Sequence, residues 1–112
     1  MKDDRLYPIH IFECMERIEA YTQEGKSEFF HQTIVQDAVL RNLQIMTEST
    51  QHFSASFKVR HPESDWKAMA GLRNILVHNY LGIKLERVWQ IVAGDLPLLK
   101  KQIEALLAQQ GG

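Results

Sequence analysis

The stretch Gly71-Leu72-Arg73-Asn74-Ile75-Leu76-Val77-His78-Asn79-Tyr80 reads as an apolar helix interrupted by Arg73, Asn74, His78 and Tyr80. Strand-like alternation persists neither here nor elsewhere in the chain, so helix is favoured over strand. At about 100° per residue, Asn74 and His78 stand one turn apart on one face, while Arg73 and Tyr80, two turns apart, share a neighbouring face. Arg73 and His78 are five steps apart, about 140° around the axis, and a long arginine side chain can swing across much of that gap.

Signals on either side extend this helix and set its neighbours. Ser64 or Asp65 is placed to cap its start at Trp66, and Gly82 is placed to end it just past Tyr80. Beyond it, a helix is predicted from Leu85 to about Gln109, with Gly94 and Pro97 expected to kink it or split it in two. Before it, His52 to Glu63 reads as a connector with Pro62 near its end. A helix over Ser27–Gln51 is predicted after a stop at Gly25, with Ser27 as its cap. Its apolar residues, from Phe30 and Ile34 to Leu43 and Met46, cover more than one stripe, the mark of a central helix. The first helix, from about Asp4 to Thr22, carries the stripe Tyr7, Ile11, Cys14, Ile18 and Tyr21, with Pro8 tolerable only near its start. These spans predict an all-α fold: an antiparallel bundle of about four to five helices, one domain over residues 1–110, ending in a frayed Gly111-Gly112 tail.

Composition narrows the function classes. The chain has 112 residues, of which 45% are hydrophobic and 24% charged, which suits one folded core and excludes a wholly disordered chain. Its single cysteine, Cys14, excludes an intrachain disulfide and a multi-cysteine zinc site. No apolar run approaches the roughly 20 residues that cross a bilayer, so no membrane partner is expected. The opening Met1-Lys2-Asp3-Asp4-Arg5 is too acidic for a signal peptide, and the cytoplasm is the expected location. A net charge of −1 excludes nucleic-acid binding through bulk positive charge; no DNA partner is expected, and any such binding needs a local patch. Residues 58–87 carry a net +3 while residues 1–30 carry −3. That excess is either a solvated helix face or a surface turned toward an anion.

A fixed cation beside an imidazole suits phosphate chemistry. A guanidinium binds phosphate oxygens in bidentate fashion and keeps its charge, and histidine moves protons near neutral pH. His78 can serve as general base on a ribose 2′-OH or as general acid on the leaving 5′-oxygen, while Arg73 stabilises the transition-state charge. One such histidine per chain is too few for both proton transfers, and a dimer would supply the second. The same residues also fit a salt-bridged arginine and a hydrogen-bonded histidine. Metal ligation is weakly supported, because His52, His61 and His78 are not spaced as a motif. No cofactor or metal is expected.

The wider string decides between these readings. His61-Pro62-Glu63-Ser64-Asp65-Trp66-Lys67-Ala68-Met69-Ala70 followed by the stretch 71–80 resembles the HEPN-domain toxins of the HepT type. Those proteins carry a Trp-rich lead-in, Gly-Leu-Arg-Asn, then Arg-x4-His-x-Tyr. The similarity extends to Gln36-Asp37-Ala38-Val39-Leu40-Arg41 upstream and to Val88-Trp89 and Asp95-Leu96-Pro97 downstream, nearly the whole chain. The resemblance implies an all-helical, HEPN-like homodimer with two motifs lining a shared cleft. It implies a metal-independent endoribonuclease, the toxin of a type VII-like toxin–antitoxin pair, acting on RNA. Its partner would be an MntA-type nucleotidyltransferase antitoxin that transfers AMP to the motif tyrosine, here Tyr80. Carried across, Arg73 and His78 match the catalytic pair, and Asn74 is a polar companion.

Asp37, Arg41 and Glu48 are candidates to approach the motif helix and orient Arg73; the alternative is an i,i+4 surface pair and a solvated glutamate. Two rival readings of the chain remain open from sequence. One is a non-catalytic helical module that binds a nucleotidyltransferase and presents a nucleotide or substrate to it. The other is a structural dimerisation bundle in which Arg73 and His78 form a buried polar network.

Overall fold

Helix α1 spans Leu6–Tyr21 in the computed structural model, which describes residues 6–62, 64–79 and 82–111. Ile11, Cys14, Met15 and Ile18 repeat at three and four, and all four are buried. Tyr21, expected on this stripe, is instead exposed, because the helix ends there and its last turn runs past the core. The expected start at Asp4 lies outside the described residues. Burial pushes the Cys14 thiol pKa up, against the opposing pull of Arg17.

The chain then turns at Gly25, whose φ of 92° is open to glycine but strained for other residues. Helix α2, Lys26–His31, buries Phe29. Ser27 therefore lies inside this helix rather than at its cap; Gly25 holds the cap position with no side-chain bond. The single helix expected over Ser27–Gln51 is broken at Gln32, which is extended (φ −113°, ψ 99°), and helix α3 begins afresh at Thr33–Ser49. Two local causes account for the break. Thr33, Ile34 and Val35 are consecutive β-branched residues, which weakens helix at that point. Gln36 then recovers the carbonyls that the break leaves open, its Nε2 donating to Phe29 O at 3.0 Å and Phe30 O at 3.2 Å.

α3 is central, as its broad apolar surface predicts: it packs against α1, α2 and α5. Its buried polar side chains are satisfied within the helix. Asn42 donates to Ala38 O at 2.9 Å, and Thr47 donates to Leu43 O at 2.9 Å. A 3-10 turn, Thr50–His52, continues the helix to the expected connector.

That connector holds a short helix, α4, over Ala55–Arg60, capped by Ser54 Oγ, which accepts from Phe57 N–H at 3.0 Å. Packing, not length, explains it. Phe57 stacks on Phe53 with ring centroids 4.6 Å apart, and Trp66 meets Phe53 edge-on at 5.1 Å. Helix α5 follows at Trp66–Asn79. Helix α6, Leu85–Gln90, runs through a π-helical turn, Ile91–Asp95, into helix α7, Leu96–Gly111. The interruption falls where Gly94 and Pro97 predict it. Proline has no N–H for the α ladder and its ring crowds the preceding turn; the chain widens there, with Leu96 N–H bonding back to Ile91 O.

Among the described residues no strand occurs, and the fold is an all-α bundle. Its core runs from Ile11 and Leu43 through Leu72 and Leu76 to Leu99 and Leu106. No helix among the described residues is long and apolar enough to cross a membrane.

Candidate active site

Three bonds hold the start of α5. Asp65 Oδ1 accepts from Ala68 N–H at 2.9 Å, so Asp65 is the cap. Gln102 of α7 accepts the Asp65 N–H at 2.8 Å. Trp66 Nε1–H donates to His61 O at 2.9 Å. Together with the buried side chains of Met69, Leu72 and Leu76, they fix how α5 is rotated about its axis. Lys67, Gly71, Asn74 and Val77 are left facing outward.

Arg73 sits at the border between these two faces, half-buried. Its Nε is buried with no hydrogen-bond partner among the described residues. The ionic contacts among those residues are His10–Glu13, Lys26–Glu86 and Lys100–Glu19, and none involves Arg73. Burying an N–H without an acceptor costs about 1–3 kcal/mol, so the position is not explained by stability. The unmet donor marks Arg73 as a residue whose acceptor the described residues do not supply, and a guanidinium suits an anionic one.

Asn74 is exposed on the same helix. His78 and Asn79 enter as backbone positions of α5, and Tyr80 lies outside the described residues. Helix register puts position 78 one turn beyond Asn74. Asp37, Arg41 and Glu48 are all exposed on α3. Among the described residues, no ion pair joins any of them to Arg73, nor Asp37 to Arg41. The reason is rotational: α3 turns Val39, Leu43 and Met46 into the core, which leaves these three charged positions on its outward side. Among the described residues no three His, Cys, Asp or Glu side chains gather as a metal site.

The feature not foreseen from sequence is a groove of about 290 Å³ between α5 and the α6–α7 helix. Asp65, Ala68, Gly71, Leu72 and Ile75 form one wall; Arg87, Asp95, Leu98, Leu99 and Gln102 form the other. A second depression of about 250 Å³ continues it past Ile75 and Arg87 to Lys84. The one sequence signal for it is the positive excess over residues 58–87.

An all-α bundle with an Arg-x4-His helix, and with an arginine Nε that has no partner among the described residues, fits a HEPN-like helical domain. The chain belongs to the HepT-like family, described as "Ribonuclease HepT-like", whose profile matches residues 11–106. It is 34% identical over 109 residues to "Gamma-glutamylcyclotransferase and putative RNase MJ0434" of Methanocaldococcus jannaschii, covering 96% of this chain but 49% of that protein, about half its length. It is 34% identical over 104 residues to "Putative RNase MJ1380" of the same organism, covering 92% of this chain and 95% of the relative. It is 38% identical over 97 residues to "Probable ribonuclease HepT" of Thermococcus cleftensis, covering 86% and 88% respectively. No solved structure matches the chain at a significant level.

Proposed function

We propose that this chain is a metal-independent endoribonuclease, the toxin of a type VII-like toxin–antitoxin pair, active as a homodimer in the cytoplasm. The observation that carries the reading is Arg73: a half-buried arginine whose buried Nε is unsatisfied among the described residues, on the helix that also carries His78. Family membership and the names of the relatives support ribonuclease chemistry.

In this mechanism the RNA 2′-oxygen attacks the adjacent phosphorus and the P–O5′ bond breaks. His78 of one protomer takes the 2′-OH proton, and the second copy's histidine gives a proton to the leaving 5′-oxygen. Arg73 binds the non-bridging oxygens, whose charge grows in the transition state. The products are a 2′,3′-cyclic phosphate and a 5′-OH. Neither step calls for a cofactor. Control comes from an MntA-type nucleotidyltransferase that transfers AMP to Tyr80. The adduct adds bulk and negative charge two turns from Arg73, where it competes with an RNA phosphate.

The test is cleavage of total RNA in EDTA by the wild type and by His78→Ala. Cleavage by the wild type alone supports the reading. A folded dimer without AMP on Tyr80 that leaves RNA intact sinks it, and points to a non-catalytic module that binds the nucleotidyltransferase. Tyr80→Phe is expected to keep cleavage and escape an active antitoxin; continued silencing of that variant would exclude Tyr80 as the modified residue.

A further inference from the structure

We infer that the groove between α5 and the α6–α7 helix is a track for single-stranded RNA leading to the reacting phosphate, with Lys84 and Arg87 as its phosphate contacts. This inference rests on the ribonuclease reading above.

Helix register supplies the first argument. Positions 71, 75 and 78 recur at i, i+4 and i+7, so they form one row along α5. Gly71 and Ile75 of that row line the groove. The groove wall therefore runs directly to the position of His78.

Charge supplies the second. Lys84 and Arg87 line the end of the groove near the C-terminus of α5, and both are exposed. The nearest acid in sequence, Glu86, is already engaged by Lys26 Nζ at 3.1 Å. Asp65 and Asp95 line the main groove but not its Lys84 end, and among the described residues neither forms an ion pair with Arg87. Among the described residues Lys84 and Arg87 have no carboxylate partner, and they border the groove; phosphates at successive nucleotides are the complementary ligand.

Gly71 supplies the third. Glycine inside a helix costs roughly 0.5–1 kcal/mol relative to alanine. Nothing lies within 4 Å of where its Cβ would be, so the chain's own packing does not require it. The absent side chain keeps the groove open to something from outside. Leu98, 61% exposed on the opposite wall, offers an apolar surface to an unstacked base.

The experiment measures binding of a short fluorescein-labelled single-stranded RNA across a salt series, in a His78→Ala background that prevents turnover. The double variant Lys84→Gln/Arg87→Gln is expected to bind roughly tenfold more weakly at low salt, with the log–log salt slope reduced by about 1.4, from about 0.7 per lost contact. Gly71→Leu, whose Cβ meets nothing within 4 Å and whose longer side chain enters the groove, is expected to fold with an unchanged or raised melting temperature and to weaken binding. Lys58→Gln/Arg60→Gln on α4 removes the same charge elsewhere and is expected to keep the slope. An unchanged slope in the Lys84/Arg87 variant, or an equal loss in the α4 variant, overturns the track. So does normal RNA binding by the Lys84/Arg87 variant together with lost silencing by the nucleotidyltransferase. A wild type that neither binds nor cleaves RNA fails the ribonuclease reading itself, and the track with it.

Discussion

Replacing Arg73 by methionine separates a catalytic arginine from a structural one. The buried Nε has no acceptor among the described residues, and leaving a buried donor unsatisfied costs about 1–3 kcal/mol. Methionine keeps an unbranched stem of similar reach and removes the donor and the charge. Because the residue as a whole is only half-buried, the lower end applies, a gain of about 1 kcal/mol. For a domain of this size that raises Tm by about 4 °C. Activity moves the opposite way. Loss of a donor aimed at transition-state charge lowers kcat by about 100- to 1000-fold. Circular dichroism melts at fixed protomer concentration and cleavage of a labelled RNA read the two effects in parallel. The stated sign is a more stable and less active variant. A Tm that falls by several degrees would show that Arg73 supports the fold through a polar network, and would refute a catalytic role for its Nε.

Two further outcomes follow from the packing. Gln36→Ala removes the side chain that covers the carbonyls of Phe29 and Phe30 and is expected to lose about 0.5–1.5 kcal/mol per bond, seen as a lower urea midpoint with unchanged m; an unaltered midpoint would show that the break at Gln32 needs no such support. Cys14, buried and with its thiol pKa raised, is expected to resist iodoacetamide at neutral pH until the protein unfolds. Because the folded pKa is the higher one, its contribution to stability is present below the unfolded thiol pKa of about 8.5 and is lost as pH rises through the folded value. Rapid labelling of the native protein, or a stability that climbs from pH 8 to 10, contradicts this.

The start of α5 was legible because its signal is local: Asp65 caps it, and Met69, Leu72 and Leu76 face the core at helical spacing. The interruption near Gly94 and Pro97 was legible for the same reason, since a proline's missing N–H acts on its own turn. The break at Gln32 was not. Hydrophobic spacing runs smoothly across it, and the bonds that make it tolerable come from Gln36, a turn later and on the next helix. Helix α4 escaped because it is too short to show a period and is held by Phe53, Phe57 and Trp66. At the site, Arg73, Asn74 and position 78 could be placed on one helix from spacing alone. The state of the Arg73 Nε and the groove could not, because the groove depends on how α5 packs against the helix that follows it, which no local signal sets and which the bond from Asp65 to Gln102 records.

The π-helical turn at Ile91–Asp95 gives this fold a place where its length can change. Ile91 and Leu96 are five residues apart, yet both are buried. In an α-helix that spacing turns the two side chains about 140° apart, and the wider turn brings them back into line. The turn therefore behaves as a one-residue insertion already absorbed. Deleting Gly94 would let the segment close into ordinary α-helix, with Ile91 and its former fifth neighbour now four apart and Leu99, Ile103 and Leu106 still facing the core. The same deletion two turns later would rotate every following residue by about 100° and turn the apolar stripe toward water. A lineage carrying this bundle can thus gain or lose a residue beside the groove without renegotiating its core.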